Sequence, residues 1–151
     1  MLFYSDYKNP RLDYMLDFIS GEILNEPLVH TCDKSAYLSY AGAKLNYSNE
    51  RFSKGEFYIQ PHPLLFETGI HDQEIKRFDY SGKPAFFQTS GDFPFDIFAA
   101  AFFLISRYEE YLLFQPDKFG RFPFQGSLAF RENFLDSPLI NYWLEDFKKS
   151  L

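Results

Sequence analysis

The sequence predicts an α/β fold, a mixed β-sheet of about five or six strands flanked by helices, with a central buried helix over residues 93–114. Three observations carry this. The chain opens as strand, helix, strand over residues 2–31, the pattern of a parallel pair joined by a crossover helix. Short apolar runs between residues 44 and 88 are separated by Pro, Gly, Asn and Ser, as strands are. The stretch from Asp92 to Phe114, DFPFDIFAAAFFLISRYEEYLLF, is the longest apolar run and ends in the charged cluster Arg107-Tyr108-Glu109-Glu110.

Leu2 to Ser5 suits a buried first strand. Asn9 is a good N-cap and Pro10 is favoured at the first helical position, so a helix is predicted from residue 10. Leu12, Met15, Leu16, Ile19 and Ile23 form its apolar stripe, and Gly21 with Asn25-Glu26-Pro27 ends it near residue 24. Leu28 to Thr31 reads as the second strand. Asp33 to Tyr40 reads as a short helix capped by Asp33 and broken by Gly42. Lys44 to Tyr47 is a weak strand, Ser48 to Gly55 a loop, and Glu56 to Gln60 a strand stopped by Pro61 and Pro63. The periodicity assigns no state to Leu64-Leu65-Phe66. Ile75 to Tyr80 and Ala85 to Gln88 flank the turn signal Ser81-Gly82-Lys83-Pro84 and read as a hairpin.

Asp92 or Phe93 is placed to cap the central helix, with Pro94 in its first turn and Asp96 favouring its positive end. Gln115 to Ser137 is a long Pro-, Gly- and Phe-rich connection, with Phe119, Phe122, Phe124, Phe130 and Phe134 expected to tie it to the core. Ser137 and Pro138 open a last helix, whose apolar face is Leu139, Tyr142, Trp143, Leu144 and Phe147.

The 151 residues suit one domain, 1–151. A net charge of −6 without any basic run argues against nucleic acid and against an acidic membrane surface. Cys32 is the single cysteine, which fits a reducing compartment. The N-terminus lacks the pattern of a signal peptide and the Ile97–Ile105 body is too short for a membrane span, so a soluble, cytoplasmic chain is expected. The 21% aromatic share implies a Phe-rich core, or an exposed platform for a flat ligand or a partner.

The motifs exclude more chemistry than they assign. His30, His62 and His71 are not spaced as ligand pairs, Cys32 has no second thiol, and no metal is expected in this chain. The eight glycines stand alone, so no phosphate cradle is signalled. No G-x-S-x-G elbow occurs. His30 and Cys32 share a strand face, a spacing that does not by itself make a nucleophile and its base. On a continuous helix Asp96, Ala100, Phe103, Arg107 and Glu110 fall on one stripe, so Arg107 and Glu110 can pair. Ile97, Ala101, Leu104, Ile105, Tyr108 and Leu112 lie away from it and can be core. The charged end then reads either as an ion pair holding the helix against the loop Asp117-Lys118-Phe119-Gly120-Arg121, the favoured reading, or as a polar edge where Arg107, Glu109 or Glu110 binds a sugar or a partner.

PFDIFAAAFFLISRYEEYL, then DKFGRF, SLAF and FLDSPLINYW, preceded by KLNYS, FYIQPHPLLFE and FFQTS, resembles the N-terminal region of bacterial polysaccharide-deacetylase-like proteins. SRYEEYL (106–112) with GRF (120–122) is the most specific part, and the resemblance covers nearly the whole chain. It implies a domain of unassigned role ahead of a (β/α) barrel that deacetylates N-acetyl sugars with a metal. The barrel's Asp-Asp and H-x-x-x-H motifs do not occur here, so no catalytic residue carries over, and a cofactor is implied only for the barrel. The expectation is a non-catalytic accessory domain that packs on that C-terminal catalytic domain, helps shape or cover its sugar site, or mediates a homodimer, with Arg107, Tyr108, Glu109, Glu110, Arg121 and Asp96 as the candidate docking cluster. Two rivals stand beside it. One is a module that binds a glycan or another protein through exposed aromatics. The other is a hydrolase using Asp96, Glu109 or Glu110.

Overall fold

The computed structural model describes residues 1–112, 118–123, 127–131 and 138–151. Four strands form a parallel sheet in the order β2-β1-β3-β4: β1 (Leu2–Ser5), β2 (Val29–Thr31), β3 (Lys44–Tyr47) and β4 (Phe57–Ile59). A separate antiparallel hairpin pairs β5 (Phe78–Tyr80) with β6 (Lys83–Ala85). The helices are α1 (Pro10–Ile19), continued by a π-helical turn Ser20–Leu24, α2 (Lys34–Ser39), α3 (Ile97–Ile105), α4 (Leu128–Arg131) and α5 (Leu139–Ser150). No helix among the described residues is long and apolar enough to cross a membrane.

The local signals act as their chemistry demands. Asn9 Oδ1 accepts the Leu12 N–H at 3.0 Å with Pro10 at the first helical position, and Asn25 leaves the helical segment in the left-handed region. Asp33 Oδ1 accepts the Ser35 and Ala36 N–H groups and starts α2. Ser81 and Gly82 both take positive φ, the geometry a two-residue hairpin turn requires. Leu64, Leu65 and Phe66 belong to a 3-10 turn, Pro63–Phe66.

Parallel register sets the two faces of the sheet. Phe3, Leu45, Tyr47, Phe57 and Ile59 share one face. There Phe98 of α3 meets Phe3 and Tyr47, and Phe147 of α5 meets Phe57 and Phe98. On the other face Tyr4 packs on Tyr37 of α2 and on Phe52. This second layer also buries polar groups. Glu56 Oε1 accepts from Asn46 Nδ2 and from the Phe52 and Ser53 N–H groups. Burial pushes the Glu56 carboxyl up, but the Ser53, Asn46 and Phe52 donors outweigh it and leave it below its ordinary value.

Two expectations are revised. The hairpin does not join the main sheet, because the free edge of β4 is already taken: Gln60 N donates to Ser90 O, Asp92 N to Tyr58 O, and Gly91 bridges Ile59. The central helix spans 97–105 rather than 93–114. At its start Asp96 N donates to Phe87 O and Phe95 bridges Gln88, which holds 95–96 extended. At its end Arg107 adopts the left-handed conformation, φ 53° and ψ 41°, and closes the helix as a C-terminal glycine would. The segment Tyr108–Tyr111 that follows is a 3-10 turn on a new axis. Neither expected cap, Asp92 or Phe93, fills that role: the capping side chain is Asp96. For α5, the expected cap Ser137 lies outside the described residues, and Pro138 occupies the capping position.

Gly91 (φ 144°) lies against the Tyr58 carbonyl, where a Cβ would collide with backbone. Gly91→Ala should therefore destabilise the protein by about 2 kcal/mol or more in denaturant unfolding, whereas Gly55→Ala, where a Cβ meets open space, should stay within about 1 kcal/mol.

Candidate functional site

The carboxyl ends of β1, β3 and β4 lie together at one edge of the sheet because the strands are parallel. Asp96 is fully buried behind them. Oδ1 accepts the Ala99 N–H at 3.0 Å, and Oδ2 accepts both the Tyr47 hydroxyl and the His62 N–H at 2.6 Å. One carboxylate thus joins the last residue of β3, the segment after β4 and the start of α3. Burial drives the Asp96 carboxyl up, opposed by the Tyr47, Ala99 and His62 donors, to about 6. The same burial, followed by the nearby Asp96 charge, pushes the Tyr47 phenol well above its ordinary value.

The knot fixes its surroundings. His62 stacks on Phe87 at 4.0 Å between ring centroids, and its Nδ1 accepts the Leu64 N–H, so it starts the 3-10 turn. Burial holds the His62 imidazole below its ordinary pKa, which suits that accepting role. Phe66 stacks on Tyr47 and meets Tyr7 edge-on.

The predicted cluster is divided. Asp96 stands apart as the cap of α3. Arg107 and Glu110 form the expected ion pair, with the Arg107 side chain 73% exposed. They pair across a 3-10 turn, not along the helix stripe. Tyr108 is buried, and its hydroxyl donates to His71 O and accepts from His71 N. Glu109 accepts the Leu128 N–H at 2.7 Å, the first amide of α4. Arg121 lies over the Phe119 ring at 4.7 Å, with Lys118 at 5.0 Å from the same ring. Phe119 is itself 67% exposed, Phe122 is half-buried, and Asp117, Phe124 and Phe134 lie outside the described residues. Trp143 is wholly buried against Phe86 and Phe95, so it is no part of an exposed platform.

The strand pair His30 and Cys32 has a third neighbour that spacing did not reveal. His30 Nε2 is 2.7 Å from Ser5 Oγ and 4.0 Å from Cys32 Sγ, while Nδ1 is 3.5 Å from Asp13 Oδ1. This resembles a nucleophile, base and acid in outline only. Ser5 is fully buried and its hydroxyl donates to Tyr7 O at 2.6 Å, so the imidazole donates to Ser5 and cannot take its proton. Burial, then Lys8, lowers the His30 pKa against the opposing pull of Asp13. Among the described residues no three His, Cys, Asp or Glu side chains are grouped to hold a metal ion.

The sequence placed Asp96 at a helix start but gave no sign of its partners, since Tyr47 and His62 lie 49 and 34 residues away. The chain belongs to DUF7033, a family of unknown function whose profile matches residues 1–151. No curated protein and no solved structure matches it.

The folded state holds the Asp96 proton up to about pH 6, whereas the unfolded chain releases it near 3.8. Between these values the folded state binds more protons, so the contribution of Asp96 is present at low pH and lost as pH rises, on the order of 3 kcal/mol across the window. The stability difference between wild type and Asp96→Asn, measured by denaturant unfolding, should therefore shrink as pH rises from 3.8 to 6. A difference that does not vary with pH would show that folding leaves the Asp96 pKa at its ordinary value.

Proposed function

We propose that this DUF7033 domain is a non-catalytic accessory domain of a polysaccharide-deacetylase-like protein, packing on the catalytic barrel through the outer side of the SRYEEYL segment. The observation that carries the reading is how that segment is spent. Tyr108 and Glu109 face inward and hold the His71 backbone and the start of α4. Arg107 and Tyr111 face outward, the latter 70% exposed. A segment built this way presents a cation and an aromatic ring from a fixed joint, which is the composition of an interface anchor. The sequence resemblance adds the identity of the partner, and the metal-dependent step belongs to the barrel in this reading.

Two measurements test it. The coding frame should continue beyond Leu151 into a barrel with an Asp-Asp pair and an H-x-x-x-H motif; a stop there sinks the covalent form of the proposal. In that two-domain protein, Arg107→Gly with Tyr111→Ala should leave the thermal midpoint of this domain nearly unchanged. Gly relieves the left-handed backbone at 107, by about 1 kcal/mol, and the exposed Arg107–Glu110 pair contributes less than that. Cleavage between the domains by a protease should nevertheless quicken. Unaltered cleavage in the folded double variant would remove this face as the docking surface.

A further inference from the structure

We propose that the crevice at the carboxyl ends of β1, β3 and β4 binds the ring of a neutral pyranose sugar. It is a cavity of about 220 Å³ lined by Asp6, Tyr7, Asn49, Pro61, Pro63 and Phe66. This inference goes beyond the docking reading and does not rest on it, because every lining residue belongs to this chain.

Topology selects the place. From the end of β1 the chain leaves through α1 toward β2, on one side, and from the end of β3 it leaves toward β4, on the other. In a parallel α/β sheet, such a reversal leaves a crevice between the two strand ends, and ligands bind there. Asp6 and Tyr7 follow β1, Asn49 follows β3, and Pro61 and Pro63 follow β4. A larger depression lined by Lys44, Arg51, Lys54 and Asp92 sits at the opposite, amino ends of the strands, and there Arg51 is already bonded to Asp92 at 2.6 Å.

Chemistry selects the ligand. Tyr7, 69% exposed, stands edge-on to Phe66, and the two prolines add further flat apolar surface. Such surfaces suit the C–H face of a sugar ring. Asp6 and Asn49 add acceptors and an amide donor for hydroxyl groups. Asp6 Oδ1 is engaged by the Tyr4 hydroxyl at 3.1 Å, which fixes the carboxylate, and among the described residues Oδ2 has no bonding partner. Among the described residues no Lys, Arg or His lines the crevice, so that lining carries no counter-charge for a phosphate or a uronic acid. The wall from 61 to 66 is pre-organised by the knot below it, since Asp96 holds the His62 N–H and Phe66 stacks on Tyr47.

The test is a two-dimensional amide NMR titration of this chain with neutral pyranosides at millimolar concentration: glucose, galactose, N-acetylglucosamine and short N-acetylglucosamine oligomers. Adenosine and inorganic phosphate serve as the competing chemistries. Saturable shifts confined to residues 6–7, 49 and 61–66 are expected for at least one sugar, with a response to the oligomers alone marking a chain end rather than a free monosaccharide. Tyr7→Ala and Asn49→Ala, both at exposed positions, should each weaken binding by about tenfold with the rest of the spectrum unchanged. No saturable sugar shift, shifts elsewhere on the molecule, or binding that survives both substitutions would overturn the proposal. So would tighter binding of adenosine or phosphate. None of these results bears on whether the SRYEEYL face docks on a barrel.

Discussion

The structure depends on one buried carboxylate. Asp96 receives a phenol and two backbone amides, and it draws each from a different part of the chain. An unpartnered ion in such a place is costly, so the three donors must be in place together for the carboxylate to be tolerated. The reciprocal also holds. Without Asp96 the Tyr47 hydroxyl, the His62 amide and the first turn of α3 lose their acceptor. The position of α3 against the sheet and the path of the chain beyond β4 are therefore one structural fact. Burial raises the carboxyl to about 6, the cost that the donors reduce without removing.

The aromatic richness of the chain finds its use in the same region. Phe98 touches Phe3, Tyr47 and Phe147, while Phe95 meets Phe93, Tyr80 and Trp143, all edge-on or tilted. Such ring packing lets short strands of three or four residues bury large areas from few positions. A small set of rings is left outside, among them Tyr7, Tyr111 and Phe119. Of these Tyr7 edges a crevice and Tyr111 extends from a backbone joint, so their exposure is positioned by structure beneath them.

Arg107 shows how local sequence and tertiary demand can conflict. From 96 to 112 the residues carry a good helix pattern, and nothing in Ser106-Arg107 resembles a stop signal. The helix ends there because Tyr108 is drawn under Arg11 and against His71, which turns the chain through a left-handed residue. The Arg107–Glu110 pair survives the change of geometry because residues three apart are neighbours in a 3-10 turn as well as in an α-helix. The pairing was legible; the reason for it was not.

What the sequence by itself determined is local. Asn9-Pro10, Asp33 and Ser81-Gly82 set their caps and turn through atoms two or three residues away, so their meaning does not depend on the fold. The alternation of short apolar runs with helical stripes likewise settles an α/β class, because period follows from backbone geometry. Only the tertiary structure decided the rest. The strand order, the closing of the β4 edge by Ser90–Asp92, the Asp96 knot and the crevice between β1 and β3 join residues far apart in the chain. No periodicity records which distant groups will share a buried acceptor or an open strand edge. That choice is made when burial forces each polar group to find a partner.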